Sequence, residues 1–216
     1  MHFIRLAYQD TADVMKFLAA DKEALDPLCK SLTLDKDVAL IYFESLLQEA
    51  VDSGVSYVVK SASDEIIAVR LSTFRTREEA MEDAQTLAYQ DVSTTIGQAQ
   101  ALLRHLNQQF WAEVSPEVDK VYYLMAVVVA SEYRETDVVD KLIHHNMDEV
   151  RTMGAQGLIA DATIFHPEST LHKLGYRVIA EVDQGTFSDS KKGLHKAQLV
   201  FKEMWREESY GAHVVL

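Results

Sequence analysis

Residues 120–142 read KVYYLMAVVVASEYRETDVVDKL. The first half is a run of apolar and β-branched side chains without polar alternation. That is the pattern of a strand covered on both faces and so placed in the middle of a sheet. The second half changes period: Val138, Val139, Leu142 and Ile143, continuing to Met147 and Val150, fall on one side of a single helix. No glycine separates the two. Helix N-termini often hold phosphates, because the first N–H groups lack intrahelical partners and point outward. Here Glu135, Asp137 and Asp140 crowd the place where an anion would sit.

Outward from this stretch, "GLIADATIF" returns as a strand, which makes a strand–helix–strand unit with parallel strands and a right-handed crossover. "PESTLHKLGY" reads as a short helix, and "YRVIAEVDQ" and "HKAQLVFKEM" as two last, antiparallel strands. On the other side, "HFIRLAY" is a strand, and "TADVMKFLAAD" a helix with Thr11 or Asp10 as N-cap. "DKDVALIYFESLLQEAVDSG" is a longer helix stopped by Gly54. "VSYVVKSASDEIIAVRLSTF" predicts a hairpin turning at Ser63-Asp64. Residues 77–113 are helical in composition, with a break near "DVSTTIG" and a stop ahead of Pro116. The result is an α/β (α+β) chain with a mixed sheet.

The chain has 216 residues, enough to bury a full core, and a formal charge of −13. No Lys/Arg block offsets that field, so nucleic acid and anionic membranes are excluded as partners while small cations are attracted. No signal-type apolar core begins the chain and no stretch approaches the ~18–20 apolar residues of a membrane span, so a cytoplasmic protein is expected. The lone Cys29 excludes an intramolecular disulfide and a cysteine zinc cluster, and no histidine spacing suits a metal. Neither a G-x-S-x-G elbow nor a P-loop is present.

The order of elements, with Val129-Ala130-Ser131-Glu132-Tyr133-Arg134, Lys173-Leu174-Gly175-Tyr176 and Asp26-Pro27-Leu28, resembles the GCN5-related N-acetyltransferase superfamily and, within it, the arylalkylamine-type amine acetyltransferases. The resemblance covers nearly the whole chain. It implies one domain over residues 1–216 with a central sheet of about seven strands flanked by helices, and an acetyl-coenzyme A cleft between two splayed strands. It places a bulge at Ala126, Val127, Val128 and Val129, whose free backbone groups would pair with pantetheine. The pyrophosphate loop falls on Arg134, Glu135, Thr136, Asp137, Val138 and Val139. The family's loop glycines are replaced by Asp137 and Val139. A carboxylate ~5 Å from a phosphate oxygen costs roughly 3 kcal/mol at an effective dielectric of ~20, which Arg134 and Lys141 would partly offset. The same residues also suit a helix that caps itself, with Thr136 or Asp137 as N-cap and acids in its first turn.

Acetyl transfer from a thioester to an amine needs a proton acceptor. The resemblance puts Asp26 where the amine branch carries a glutamate, so Asp26 would act through water; before Pro27 it also suits a plain turn. His166, after the strand "LIADATIF", borders the implied cleft as a second candidate base or substrate contact. The tyrosine acid of many relatives falls on Leu171, so no acid carries over. Phe74, Tyr89, Phe110 and Trp111 flank the implied acceptor region, and a small cationic amine suits the acidic chain. The expectation is acetyl-coenzyme A-dependent N-acetylation of an arylalkylamine or polyamine. The alternative is a binding or regulatory protein that kept the fold and lost the coenzyme loop. A homodimer through an exposed sheet edge is compatible with either.

Overall fold

The computed structural model describes residues 1–20, 29, 34–86, 94–134, 136–161, 168–183 and 196–204. Its strands are β1 (His2–Arg5), β2 (Tyr57–Lys60), β3 (Ile66–Thr76), β4 (Lys120–Val129), β5 (Gly157–Asp161), β6 (Arg177–Asp183) and β7 (Lys196–Glu203). They form one seven-stranded sheet in the order β1-β2-β3-β4-β5-β7-β6. All neighbours are antiparallel except β4 and β5. The strand read as central is fourth of seven, and all but two of its ten residues are buried.

The helices are α1 (Thr11–Ala20), α2 (Lys36–Ser53), α3 (Arg77–Thr86), α4 (Thr95–Glu113), α5 (Val138–His144), α6 (Met147–Thr152) and α7 (Glu168–Lys173). α2 starts where Asp35 accepts the Val38 N–H at 2.9 Å, and it ends at Gly54 with φ 66°, a left-handed conformation that glycine adopts without steric cost. Within residues 77–113 a new helix, α4, starts inside the stretch read as a break, where Thr94 is extended and accepts the Gly97 N–H. The hairpin turns at Asp64, φ 65°.

One expectation is corrected. The apolar stripe from Val138 to Val150 belongs to two short helices rather than one, divided at Asn146, which has φ 61°. The cause is distant in sequence. Arg70, fully buried in β3, donates to the carbonyls of Leu142, Ile143 and His145 at 2.7, 3.2 and 2.9 Å. These groups would otherwise accept from the next helical turn, so α5 stops there.

Candidate active site

β4 pairs with β5 only from Tyr122 to Leu124. Beyond Leu124 the two parallel strands diverge, and β4 continues alone on that flank to Val129. Against β3 the register steps from Leu71↔Ala126 to Ser72↔Leu124, so Met125 is an extra residue. The bulge therefore lies at Met125, one residue ahead of the stretch Ala126–Val129 to which it was assigned. Ala130 donates to the Ile67 carbonyl at 2.9 Å, which fixes the alternation of the ladder. Val128 and Ala126 face β3 with their N–H and C=O groups. Val127 and Val129 turn theirs toward the gap left by β5.

Arg134 does not reach outward: its Nε donates to the Val129 carbonyl at 3.2 Å. Thr136 Oγ1 donates to the Tyr133 carbonyl at 2.6 Å and accepts the Val138 N–H at 3.3 Å. Thr136 is thus the capping side chain, and Asp137 makes no capping bond. Asp137 instead pairs with Lys141 at 2.5 Å and Asp140 with His144 at 3.2 Å, each one helical turn on. Asp137 and Asp140 are thus engaged along α5 itself. Asp137 has φ −75°, and Val139 lies within the helix, so neither position demands glycine. The Val138 side chain is fully buried in a small core with Tyr57, Val59, Val129 and Leu142. Asp26, Glu135 and His166 lie outside the described residues.

On the opposite face of the sheet is a cavity of about 380 Å³. α2 contributes Tyr42, Ser45, Leu46 and Glu49; β3 and α3 contribute Arg75, Thr76, Glu79 and Ala80. α4 gives Gln100, Leu103, Arg104, Asn107, Gln108 and Trp111, and β4 gives Tyr123 with the bulged Met125. The α4 side of the cavity is mostly polar, with Leu103 and Trp111 its apolar members. Glu49 and Arg75 form an ion pair at 2.6 Å across the cavity wall, and the guanidinium lies 5.6 Å from the Tyr123 ring centre. Burial, then the Asp161 carboxylate, pushes the Tyr42 phenol far above its usual range; burial, then Tyr42 and Asp161, does the same for Tyr123. Both hydroxyls are neutral donors at any working pH.

Of the rings expected near an acceptor, Trp111 lines this cavity. Phe110 is core against Trp111 and Phe201, Phe74 packs on Tyr122, and Tyr89 lies outside the described residues. Leu171 is buried, its neighbour His172 is exposed, and the turn they approach has Gly175 at φ 85°. Cys29 is partly buried against the core. No cluster of three metal-binding side chains occurs among the described residues, and no helix among them is long and apolar enough to cross a membrane.

A mixed seven-stranded sheet with a bulged central strand and a parallel neighbour that splays from it is the fold of the GCN5-related N-acetyltransferases. Among solved structures of that shape is a Drosophila melanogaster polyamine N-acetyltransferase that forms N-acetylagmatine. It is 18% identical, with 94% of this chain and 99% of that one aligned and a TM-score of 0.72. Arylalkylamine N-acetyltransferase 2 of Aedes aegypti is also 18% identical over 94% and 98% of the two chains, with a TM-score of 0.68. An agmatine N-acetyltransferase is 17% identical over 94% and 99%, with a TM-score of 0.70. No family model and no curated protein sequence matches the chain.

Proposed function

We propose that the protein transfers an acetyl group from acetyl-coenzyme A to a small primary amine. The observation that carries this reading is the adjacency of two features at Met125: a stretch of β4 at Val127 and Val129 whose backbone groups face no neighbouring strand on the β5 flank, and the cavity against Met125 and Tyr123. The first suits the amides of pantetheine and the thioester carbonyl, toward which the Val127 and Val129 N–H groups point. The second suits an amine that must meet that carbonyl. The relatives of like fold that act on agmatine, polyamines and arylalkylamines support the same class of acceptor.

Arg134, Thr136 and the start of α5 would lie along the pyrophosphate, with Lys141 partly offsetting Asp137. In the cavity wall Glu49 and Glu79 stand beside Arg75 and Arg104, and it is the chain's charge of −13 that favours a cationic acceptor, with the two carboxylates as its contacts. The polar side chains of α4 favour one with hydrogen-bonding groups along its length, as in an agmatine or polyamine. Attack within a ternary complex forms the C–N bond as the C–S bond breaks.

The test is a calorimetric titration of acetyl-coenzyme A, followed by thiol release with agmatine, spermidine and phenylethylamine. Micromolar binding and release with at least one amine is the expected result. Absence of heat at millimolar coenzyme with an unshifted Tm would overturn the reading and leave a protein that uses the fold otherwise.

A further inference from the structure

Asp161 has no role in the acetyl transfer proposed above, yet no carboxylate among the described residues is more completely withdrawn from water: its exposure is 0%. It is the last residue of β5, paired with Leu199 of β7. The last β4–β5 pair is Leu124↔Ala160, so one step further the register would set Asp161 opposite the bulged Met125. Ile159 pairs with Tyr123, and side chains two apart share a face of a strand. Asp161 therefore lies on the cavity side of the sheet, at the point of the splay. Its charge is felt by both phenols of the cavity wall, Tyr42 and Tyr123. Burying a carboxylate is costly, and a buried one at a cleft is where proton chemistry is found.

Resting on the acetyltransferase reading, we propose that Asp161 receives the proton of the incoming amine, with the Tyr42 and Tyr123 hydroxyls as the relay between cavity and carboxylate. The ammonium substrate gives a proton to a phenol oxygen as that phenol passes its own to Asp161, so the phenol is neutral before and after. The raised phenol pKa values fit a relay that never rests as phenolate. The neutral amine attacks the acetyl carbon. As the C–N bond forms and the C–S bond breaks, the second nitrogen proton leaves with the coenzyme thiolate, giving amide and thiol. The proton on Asp161 returns to solvent after the products depart. Among the described residues, the ionisable and charged groups of the cavity wall beside this cluster are Tyr42 and Glu49 from α2, Arg75 from β3, Glu79 from α3, Arg104 from α4 and Tyr123 from β4, and Leu199 of β7 pairs with Asp161 in register. The proposal moves the proton acceptor from Asp26 and His166 to a residue at the base of the cleft.

Asp161→Asn keeps the shape and removes the acceptor. The expected result is a fall in kcat/KM of roughly 10²–10³-fold, the size of a lost general base, with acetyl-coenzyme A affinity within about twofold of the parent protein. Its residual activity should rise with pH up to the pKa of the free amine, whereas the parent levels off earlier. Tyr42→Phe with Tyr123→Phe should lose activity comparably, and decides the matter if Asp161→Asn does not fold. A parent protein that turns over amine while Asp161→Asn keeps kcat/KM within threefold, or keeps the parent pH profile at a lower level, overturns this inference alone. So does a doubly Phe-substituted protein of full activity. A parent protein that binds acetyl-coenzyme A and acetylates no amine overturns the function and this inference together.

Discussion

β3 carries an arginine on each face of the sheet, Arg70 on one and Arg75 on the other, and the two faces treat them differently. On the α5 side, Arg70 is spent on the fold: its two terminal nitrogens donate to four carbonyls, those of Val55, Leu142, Ile143 and His145, and the guanidinium lies over the rings of Tyr57 and Tyr122, with only the buried Nε lacking a hydrogen-bond partner. On the α2 side, Glu49, Arg75 and the Tyr42 and Tyr123 hydroxyls stand around about 380 Å³ of open space. The comparison separates two uses of buried polarity. Where the charge is closed in by backbone acceptors it holds the fold, and where space is left beside it the charge is placed for something that arrives.

The largest effect that could break this contrast is on the closed face. Arg70→Met leaves several buried carbonyls without donors, and should cost at least about 3 kcal/mol. For a chain of this length that is roughly 6–12 °C in Tm. A loss under about 1 kcal/mol would mean that Arg70 is no anchor and that the faces do not differ as described.

On the open face, Glu49→Gln should do the reverse. Glu49 and Arg75 are each about one-third exposed, at 37% and 34%, so screening leaves their pair worth about 1 kcal/mol at most to stability. The expected readout is instead a rise of about tenfold in amine KM, equivalent to 1.4 kcal/mol of lost binding, with acetyl-coenzyme A affinity unchanged. A large fall in Tm without a change in KM would assign the pair to the fold.

A smaller effect sharpens the cofactor side. Because Lys141 already offsets Asp137, Asp137→Asn should tighten acetyl-coenzyme A by less than about tenfold and by less still at high salt, measured by titration at two ionic strengths. Unchanged affinity would place the pyrophosphate elsewhere.

The smallest effect is on pH dependence. His145 stacks on Phe3, and burial, then the nearby Arg70, pulls its pKa below the usual histidine value. The unfolded chain thus binds this proton at higher pH than the folded one. Stability should be full above about pH 6.5, where the unfolded histidine is neutral, and decline as pH falls through the lower folded value. Melting curves between pH 5 and 8 should show His145→Asn lowering Tm throughout but flattening this decline by about 1–2 °C relative to the parent.

Much of the fold is legible in the chain because it is written in local periods. The uninterrupted apolar run at β4, Asp35 and Gly54 at the ends of α2, and the Ser63-Asp64 turn act within a few residues of themselves. What escaped is what depends on distant partners. The break at Asn146 is imposed by Arg70, 76 positions earlier, whose sequence context is simply that of a strand. The loop acids looked hostile to an anion because sequence gives their charge without their direction; in the structure Lys141 and His144 engage Asp137 and Asp140. Asp161 escaped because one acid in "GLIADATIF" gives no sign that it sits at the splay. The signal was present only in its position, the first charge after an apolar strand next to the central one.

The extra residue at Met125 has a consequence for how this chain can change. Before it, Tyr122 faces Arg70 and Tyr123 faces the cavity; after it, Val127 and Val129 share the Arg70 side, and Ala126 and Val128 the other. Met125 is a parity switch in the strand, turning an even count into an odd one. Exchanging its side chain alters one surface of the cavity. Deleting it would let Ala126 follow Leu124 in a regular ladder with the same partners on β3, so Val127 and Val129 would keep their facing while the strand lost the local bend that an extra residue imposes. The loss would be felt as a change of curvature and not of register.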